Sequence, residues 1–220
     1  KAVEDLESVK ELAPIHNPPA MELIHACTKL YPDLPQVAVF DTAFHSTIPE
    51  HARTYAIPAG TAEKFGIRKY GFHGTSHQFV AEEAAKFIDI PMRRLNAVSC
   101  HLGSGGASLC AIKGGRSIDN TMGFSPLQGL VMSTRSGDLD PAIALNMLAH
   151  NLGDADSVEK TLNNRSGVLG LSGKSADIRD IIAARGRNAD PDSTLEVYLW
   201  RIKKYLGAYL TTVGRADAVI

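Results

Sequence analysis

Apolar positions along the chain follow two periods. Between Ala97 and Asn120 they form short runs cut by glycine: Ala97 to Cys100 and Ala107 to Ile112 are β-competent, and Lys113-Gly114-Gly115-Arg116 closes the second run into a hairpin. A third strand follows, and then a polar loop. Elsewhere the repeat is helical. Val3, Leu6, Val9 and Leu12 recur in three-residue steps, Leu23, Ile24 and Cys27 share a face, and Leu195, Leu199, Ile202, Leu206 and Leu210 mark the longest run. The spacing predicts helices over Val3 to Leu12, Ala20 to Leu30, Gly60 to Phe65, Thr75 to about Phe87, Pro141 to His150, Ala155 to Leu162, Ser175 to Arg185 and Asp192 to Val213. Thr75 and Gln78 fit a capping box, and Phe79, Val80, Ala84 and Phe87 an apolar side. Gln36 to Phe40 predicts a strand buried on both faces, Arg53 to Ile57 a short strand, and Ala216 to Ile220 the start of another. Strands group early in each half with helices after them. The class is α/β, with an antiparallel three-strand meander near residues 97–120 on an otherwise wound sheet.

Candidate chemistry sits at the breaks in this pattern. His101-Leu102-Gly103-Ser104-Gly105-Gly106 joins two strands, and its glycines let backbone N–H groups converge as in a phosphate nest; an ordinary permissive hairpin has the same spacing. Thr134-Arg135-Ser136-Gly137-Asp138 puts a guanidinium and two hydroxyls in one loop. Asp41 follows an apolar run, where open α/β sheets place ligands, although an aspartate there also caps turns. His73 and His77 are four apart, a metal-ligand spacing, but His73 precedes the helix cap and the metalloprotease glutamate is absent. A polar group presented before a helix N-terminus, which favours anions, is the better reading.

Composition narrows the class without naming a reaction. The 220 residues are 44% hydrophobic and 21% charged, which suits one large or two small globular domains. A formal charge of -1 and a sequence pI near 6.8 argue against nucleic acid or an anionic membrane as partner. No apolar run approaches the roughly 20 residues of a membrane span. Cys27, Cys100 and Cys110 are odd in number and widely spaced, which fits free thiols, the two strand cysteines buried, in a reducing cytoplasm. The lone Trp200 is expected in a core or an interface. Both ends read as internal: Lys1 opens directly into a helical pattern, and Ile220 stops within an apolar run.

Six motifs in order give a sharper comparison: VFDTAFH (Val39 to His45), RKYGFHGTSH (Arg68 to His77), HLGSGGASLCAIKGGRSIDNTMGFSPLQGL (His101 to Leu130), TRSGDLDP (Thr134 to Pro141), LSGKSADIRD (Leu171 to Asp180) and RIKKYLGAY (Arg201 to Tyr209). Together they resemble the acetokinase family of the sugar-kinase and actin superfamily. The resemblance implies a duplicated ribonuclease-H-like fold, with residues 1–44 closing a first domain and 45–220 forming most of a second, nucleotide-binding one. It implies reversible phosphoryl transfer from ATP to acetate, giving acetyl phosphate and ADP, in acetate and acetyl-CoA metabolism. Mg²⁺ is the expected metal, with Mn²⁺ a substitute, and its direct ligands fall outside this stretch. Asp41, His73 and Arg135 align with catalytic positions, His101 to Gly106 with the ATP phosphate loop, and Asp177-Ile178-Arg179 with a segment near the adenosine. Ile15, Phe72 and Pro126 align with an acetate-methyl pocket; they also suit plain core or turn positions, and Asp177 with Arg179 a surface ion pair. Propionate or butyrate kinase is the alternative within this chemistry, and a non-catalytic nucleotide-binding module the alternative outside it. A homodimer is implied, with the Asp192 to Val213 helix as a candidate interface. Residues 1–220 alone are expected to be inactive.

The motifs also depart from the family pattern. Ser104 stands where asparagine is usual and the glycine turn is one residue longer; Ser133 replaces a glycine and Gln128 a glutamate.

Overall fold

The computed structural model describes residues 2–8, 17–150, 153–185 and 189–220. The chain forms two compact units, Lys1–Phe40 and Asp41–Ile220. The first contains α1 (Ala2–Ser8) and α2 (Asn17–Leu30). Met21 is the buried residue of α2, and Leu23 points to solvent rather than sharing the face of Ile24 and Cys27. Gln36 to Phe40 is not a strand. It is irregular, with Val37 84% and Val39 77% exposed, because no strand among the described residues offers its backbone a ladder.

The second unit is built on a four-stranded sheet in the order β3-β2-β1-β4, where β1 is Ala97–Leu102, β2 Ala107–Lys113, β3 Arg116–Asn120 and β4 Ala218–Val219. The expected meander is present: β1–β2 and β2–β3 are antiparallel, and β4 returns parallel to β1. Gly114 and Gly115 both have positive φ (58° and 72°), the conformation a tight two-residue hairpin needs.

Side chains alternate between two helical layers. Ala97, Cys110 and Ile112 pack with Ala81 and Ala85 of α5 (Gly74–Phe87). Val98, Leu109 and Ala111 pack on the other face with Tyr209 and Val213 of α10 (Ala189–Val213). Sandwiching explains why β2 is buried along nearly its whole length. The same period of two puts Ser99, His101 and Ser108 on the α5 face, with His101 opposite Ser108 in the ladder. Smaller helices complete the unit: α3 (Glu50–Arg53), α4 (Ala59–Phe65), α6 (Pro141–Ala149), α7 (Ala155–Asn164), α8 (Gly167–Ser172) and α9 (Ile178–Ala183). Val131, Val168, Ile181 and Leu195 form a separate core under α8, α9 and α10.

Four local expectations fail, the first being the apolar side of α5: its buried residues are Gly74, His77, Ala81 and Ala85, which face the sheet, whereas Phe79 (62%) and Phe87 (89%) are exposed. Arg53 to Ile57 is the end of α3 and a loop, because Arg53 is held by the carbonyls of Ser46 and Ile48. The capping box at Thr75 is absent: α5 begins one residue earlier, with His73 at its N-cap and no side-chain cap bond there. The 175–185 helix is confined to α9, since Asp177 accepts from Arg179 N (2.9 Å) and starts it later. Cys110 is buried, and burial pushes its thiol up to about 12, whereas Cys100 is only partly covered. Trp200 is 67% exposed and so is not a core residue.

Candidate active site

The start of α5 is fastened to Asp41. Its carboxylate Oδ2 accepts from His73 N (2.5 Å) and its carbonyl from Gly74 N (2.7 Å). Asp41 thus satisfies the N-terminus of α5, rather than the turn that follows it, and sets the His73 backbone at the same time. A Cβ on Gly74 would clash with the Asp41 carbonyl, so only glycine permits this approach. His73 is left-handed (φ 60°), an uncommon state for a non-glycine residue.

This backbone throws the His73 ring over the sheet. It stacks on His101 at 4.0 Å between centroids. His73 Nδ1 bonds Ser108 Oγ (2.8 Å), and the same oxygen bonds His77 Nε2 (2.8 Å), whose Nδ1 reaches Ser99 Oγ (2.7 Å). The four-residue spacing of His73 and His77 thus serves a shared serine. His101 Nδ1 bonds Ser76 Oγ (2.9 Å). Burial, with the neighbouring His101, pulls His73 down to about 4; burial and the adjacent imidazoles pull His77 to about 2. Both rings are neutral at pH 7. A fourth imidazole, His45, is buried, bonded to Ser117 Oγ (2.8 Å) and the Phe72 carbonyl (2.9 Å).

Arg135 closes the opposite side. Its guanidinium donates to the carbonyls of Pro126 (2.7 Å) and Gly105 (2.5 Å). A methyl group on Gly106 would lie 2.6 Å from Arg135 Nη2 and 3.1 Å from His73 Nε2, so both side chains converge on the glycine turn at this point. The loop carrying Arg135 is anchored from behind: Asp138 accepts from Gly129 N (3.0 Å) and Tyr205 OH (2.6 Å), and Arg201 donates to the Gly129 and Asp138 carbonyls.

Beside the turn is a cavity of about 560 Å³ lined by Leu102 to Gly105, Ser133, Thr134 and Asp177 to Arg179, among others. Asp177 and Arg179 form an ion pair at 2.5 Å that holds the Asp177 carboxyl down to about 2, and the same pair lines this cavity. Ser133 Oγ donates to the Ser104 carbonyl, so two of the positions that depart from the family pattern touch each other. Gln128, a third, accepts from Tyr55 OH (2.6 Å).

His73 and Arg135 thus meet at the glycine turn, Asp41 is tied to His73, His101 stacks on it, and Asp177 to Arg179 share a cavity with Leu102 to Gly105 of the turn. Pro126 joins them through its carbonyl, whereas the Phe72 ring packs partly against the core, and Ile15 lies outside the described residues. Sequence reasoning missed Ser99, Ser108 and His45. Alternation along β1 and β2 would have put Ser99 and Ser108 on one face; their bonding depends on α5. Among the described residues no three His, Cys, Asp or Glu side chains converge as a metal cage.

Two solved structures superpose on nearly the whole chain. An acetate kinase of Porphyromonas gingivalis matches with a TM-score of 0.91 and 40% identity, and a propionate kinase of Francisella tularensis with 0.93 and 41%; each match covers 99% of this chain, and 54% and 56% of the respective structures. The fold is therefore of the actin and sugar-kinase type. Residues 1–220 match the acetokinase family throughout, and the chain belongs to that family. Curated acetate kinases of Halothermothrix orenii and Bacillus subtilis are 49% and 48% identical over the whole chain. The chain spans about half the length of these relatives, 55% and 56% respectively.

Proposed function

We propose that the protein transfers the γ-phosphoryl group of ATP to acetate, reversibly, giving acetyl phosphate and ADP. The observation that carries this reading is the cavity lined jointly by the glycine turn and Asp177 to Arg179, with Arg135 and His73 both approaching Gly106, which lies between the lining residues Gly105 and Ala107. Residues 1–44 then close a first domain, and 45–220 form most of the nucleotide-binding one. The turn's backbone faces the ATP phosphates, and Asp177-Ile178-Arg179 the adenosine.

An acetate carboxylate oxygen attacks the γ-phosphorus, the bond to the bridging oxygen breaks, and ADP leaves with that electron pair. Acetate is ionised at pH 7, so no base is needed to deprotonate it. Asp41 instead orients: one oxygen fixes His73, and the other makes no hydrogen bond among the described residues. Arg135, with a planar fork, counters charge developing on the transferred group, a role worth about 10³–10⁵ in rate. His73, neutral, faces the same point. The open Asp41 oxygen would orient a water carried by Mg²⁺ or Mn²⁺, whose direct ligands are expected outside this stretch. When bound with the nucleotide, the metal neutralises phosphate charge.

Phe72 and Pro126 are taken to face the methyl group of acetate; Ile15, the third residue that the family resemblance puts there, lies outside the described residues. Likeness to a propionate kinase keeps propionate as the second reading, because one methylene is worth only about 1–3 kcal/mol in an apolar pocket. The cysteines are free thiols, which suits a reducing cytoplasm, and exposed Val197, Leu199 and Trp200 suit a homodimer surface on α10. No helix among the described residues is long and apolar enough to cross a membrane.

The test is acetyl phosphate formation by the full-length protein, with kcat/KM compared for acetate and propionate. Acetate is expected to be preferred. A clear propionate preference would reassign the substrate, and ATP binding with no acyl phosphate from either would leave a nucleotide-binding module.

A further inference from the structure

We infer that Ser99, His77 and Ser108 are positioning residues: they form a one-way hydrogen-bond relay that fixes His73 as the Nε2–H tautomer, so that it presents a donor, not a lone pair, at the cleft. The relay runs Ser99 Oγ to His77 Nδ1 (2.7 Å), His77 Nε2 to Ser108 Oγ (2.8 Å) and Ser108 Oγ to His73 Nδ1 (2.8 Å). Ser99, His77 and Ser108 are all fully buried.

The direction follows from counting protons. A neutral imidazole has one N–H and one acceptor nitrogen, and a serine hydroxyl has one proton to donate. Ser108 Oγ touches two ring nitrogens, so it donates to one and accepts from the other. Only two arrangements of the chain satisfy this at every link.

In the first, Ser99 donates to His77 Nδ1, His77 Nε2–H donates to Ser108, and Ser108 donates to His73 Nδ1. The remaining proton of His73 is then on Nε2, the atom nearest the point on Gly106 that Arg135 also approaches. In the second, every donor is reversed and Ser99 only accepts. Its own hydroxyl proton would then be buried without an acceptor, because His77 Nδ1 is the one side-chain hydrogen-bond partner Ser99 has among the described residues. A buried unsatisfied donor loses its hydration with nothing in return, whereas a spare lone pair on a hydroxyl costs little. The first arrangement wins. Burial keeps both rings neutral at pH 7, so neither escapes the choice by carrying two protons.

The consequence rests on the phosphoryl-transfer reading: an Nε2–H beside Arg135 hydrogen-bonds a phosphoryl oxygen, while a bare Nε2 would repel it. The relay itself does not depend on that reading, and neither does its test.

Histidine side chains labelled with ¹⁵N report their tautomer directly by long-range ¹H–¹⁵N correlation at pH 7.5 without substrate. His73 and His77 are both expected as Nε2–H. Ser99→Ala removes the outer donor and should lower the Nε2–H to Nδ1–H ratio of His73 at least tenfold. Ser108→Ala should release His73 while leaving His77 in place. His45, whose Nε2 must donate to the Phe72 carbonyl, is the internal control for folding and should not change in either variant. His73 found as Nδ1–H in the unmodified protein overturns the inference, even if neither variant folds. An unchanged His73 ratio in a folded Ser99→Ala also overturns it. Nε2–H at His73 together with no acyl phosphate from the full-length protein would sink the phosphoryl-transfer reading and leave the relay standing.

Discussion

On the α5 side of the cleft, Ser99, His77 and Ser108 are fully buried and hold one another through short side-chain hydrogen bonds. On the other side, Gly103, Ser104 and Gly105 are exposed, and what holds them is the Arg135 guanidinium on the Gly105 carbonyl and the Ser133 hydroxyl on that of Ser104. The first side is preorganised by packing, and little can change there without a cost in folding. The second is tied by contacts that a phosphate would compete for, since Arg135 now spends its donors on carbonyls. The difference separates a wall fixed by packing from a rim that, on the proposed function, binds the phosphates. Damage to the wall should appear in stability and tautomer state, and damage to the rim in turnover and affinity.

The largest effect expected on this division belongs to the rim. Arg135→Ala in the full-length protein should lower kcat for acetyl phosphate formation by about 10³ or more while the melting temperature moves little. A loss of stability matching the loss of rate would erase the distinction between the two sides.

Next in size is the acid behaviour of the wall. The His73 pKa falls from 6.5 to about 4 on folding, mainly by burial, so the unfolded chain binds the proton more readily. Stability from this group is complete above the unfolded value and is lost as pH falls from about 6.5 toward 4; His77, near 2, extends the loss further. Denaturant titrations across that window should show the decline. His73→Asn, which tolerates the left-handed backbone, should make it shallower. An equal slope in the variant would place the acid sensitivity elsewhere.

The smallest effect tests the tie between two departures from the family pattern. Ser133→Ala deletes the hydroxyl that holds the Ser104 carbonyl. At an exposed site this bond is worth about 0.5–1.5 kcal/mol, so the KM for ATP should rise roughly threefold to tenfold with kcat and stability nearly unchanged. An unchanged KM would mean that the longer turn holds its shape without Ser133.

Much of the wall and rim could be read along the chain, and the misses share a cause. The meander between Ala97 and Asn120 was legible because glycine pairs and alternating apolar runs are local signals, and β2 and β3 pair through a tight turn. Gln36 to Phe40 carries an equally apolar run and yet is exposed and unpaired, because a strand is a relation between segments and its own residues do not supply the partner. The capping box at Thr75 had the right residues, but Asp41, 32 residues before the His73 amide that it accepts from, supplied the cap instead. His73 and His77 showed a ligand-like spacing; that they share Ser108 depends on a strand packing beneath the helix.

By itself the sequence determined the α/β class, the meander, the glycine turn, the arginine loop and, through ordered motifs, the family. These rest on local backbone preference and on residue types that survive being read one after another. Tertiary structure alone decided that Asp41 caps α5, that Arg135 lies on the glycine turn, that Asp177 and Arg179 line the same cavity, and that two serines connect two histidines. The physical reason is that a hydrogen bond between side chains needs a few ångströms of proximity and a direction, and both are set by how distant segments pack.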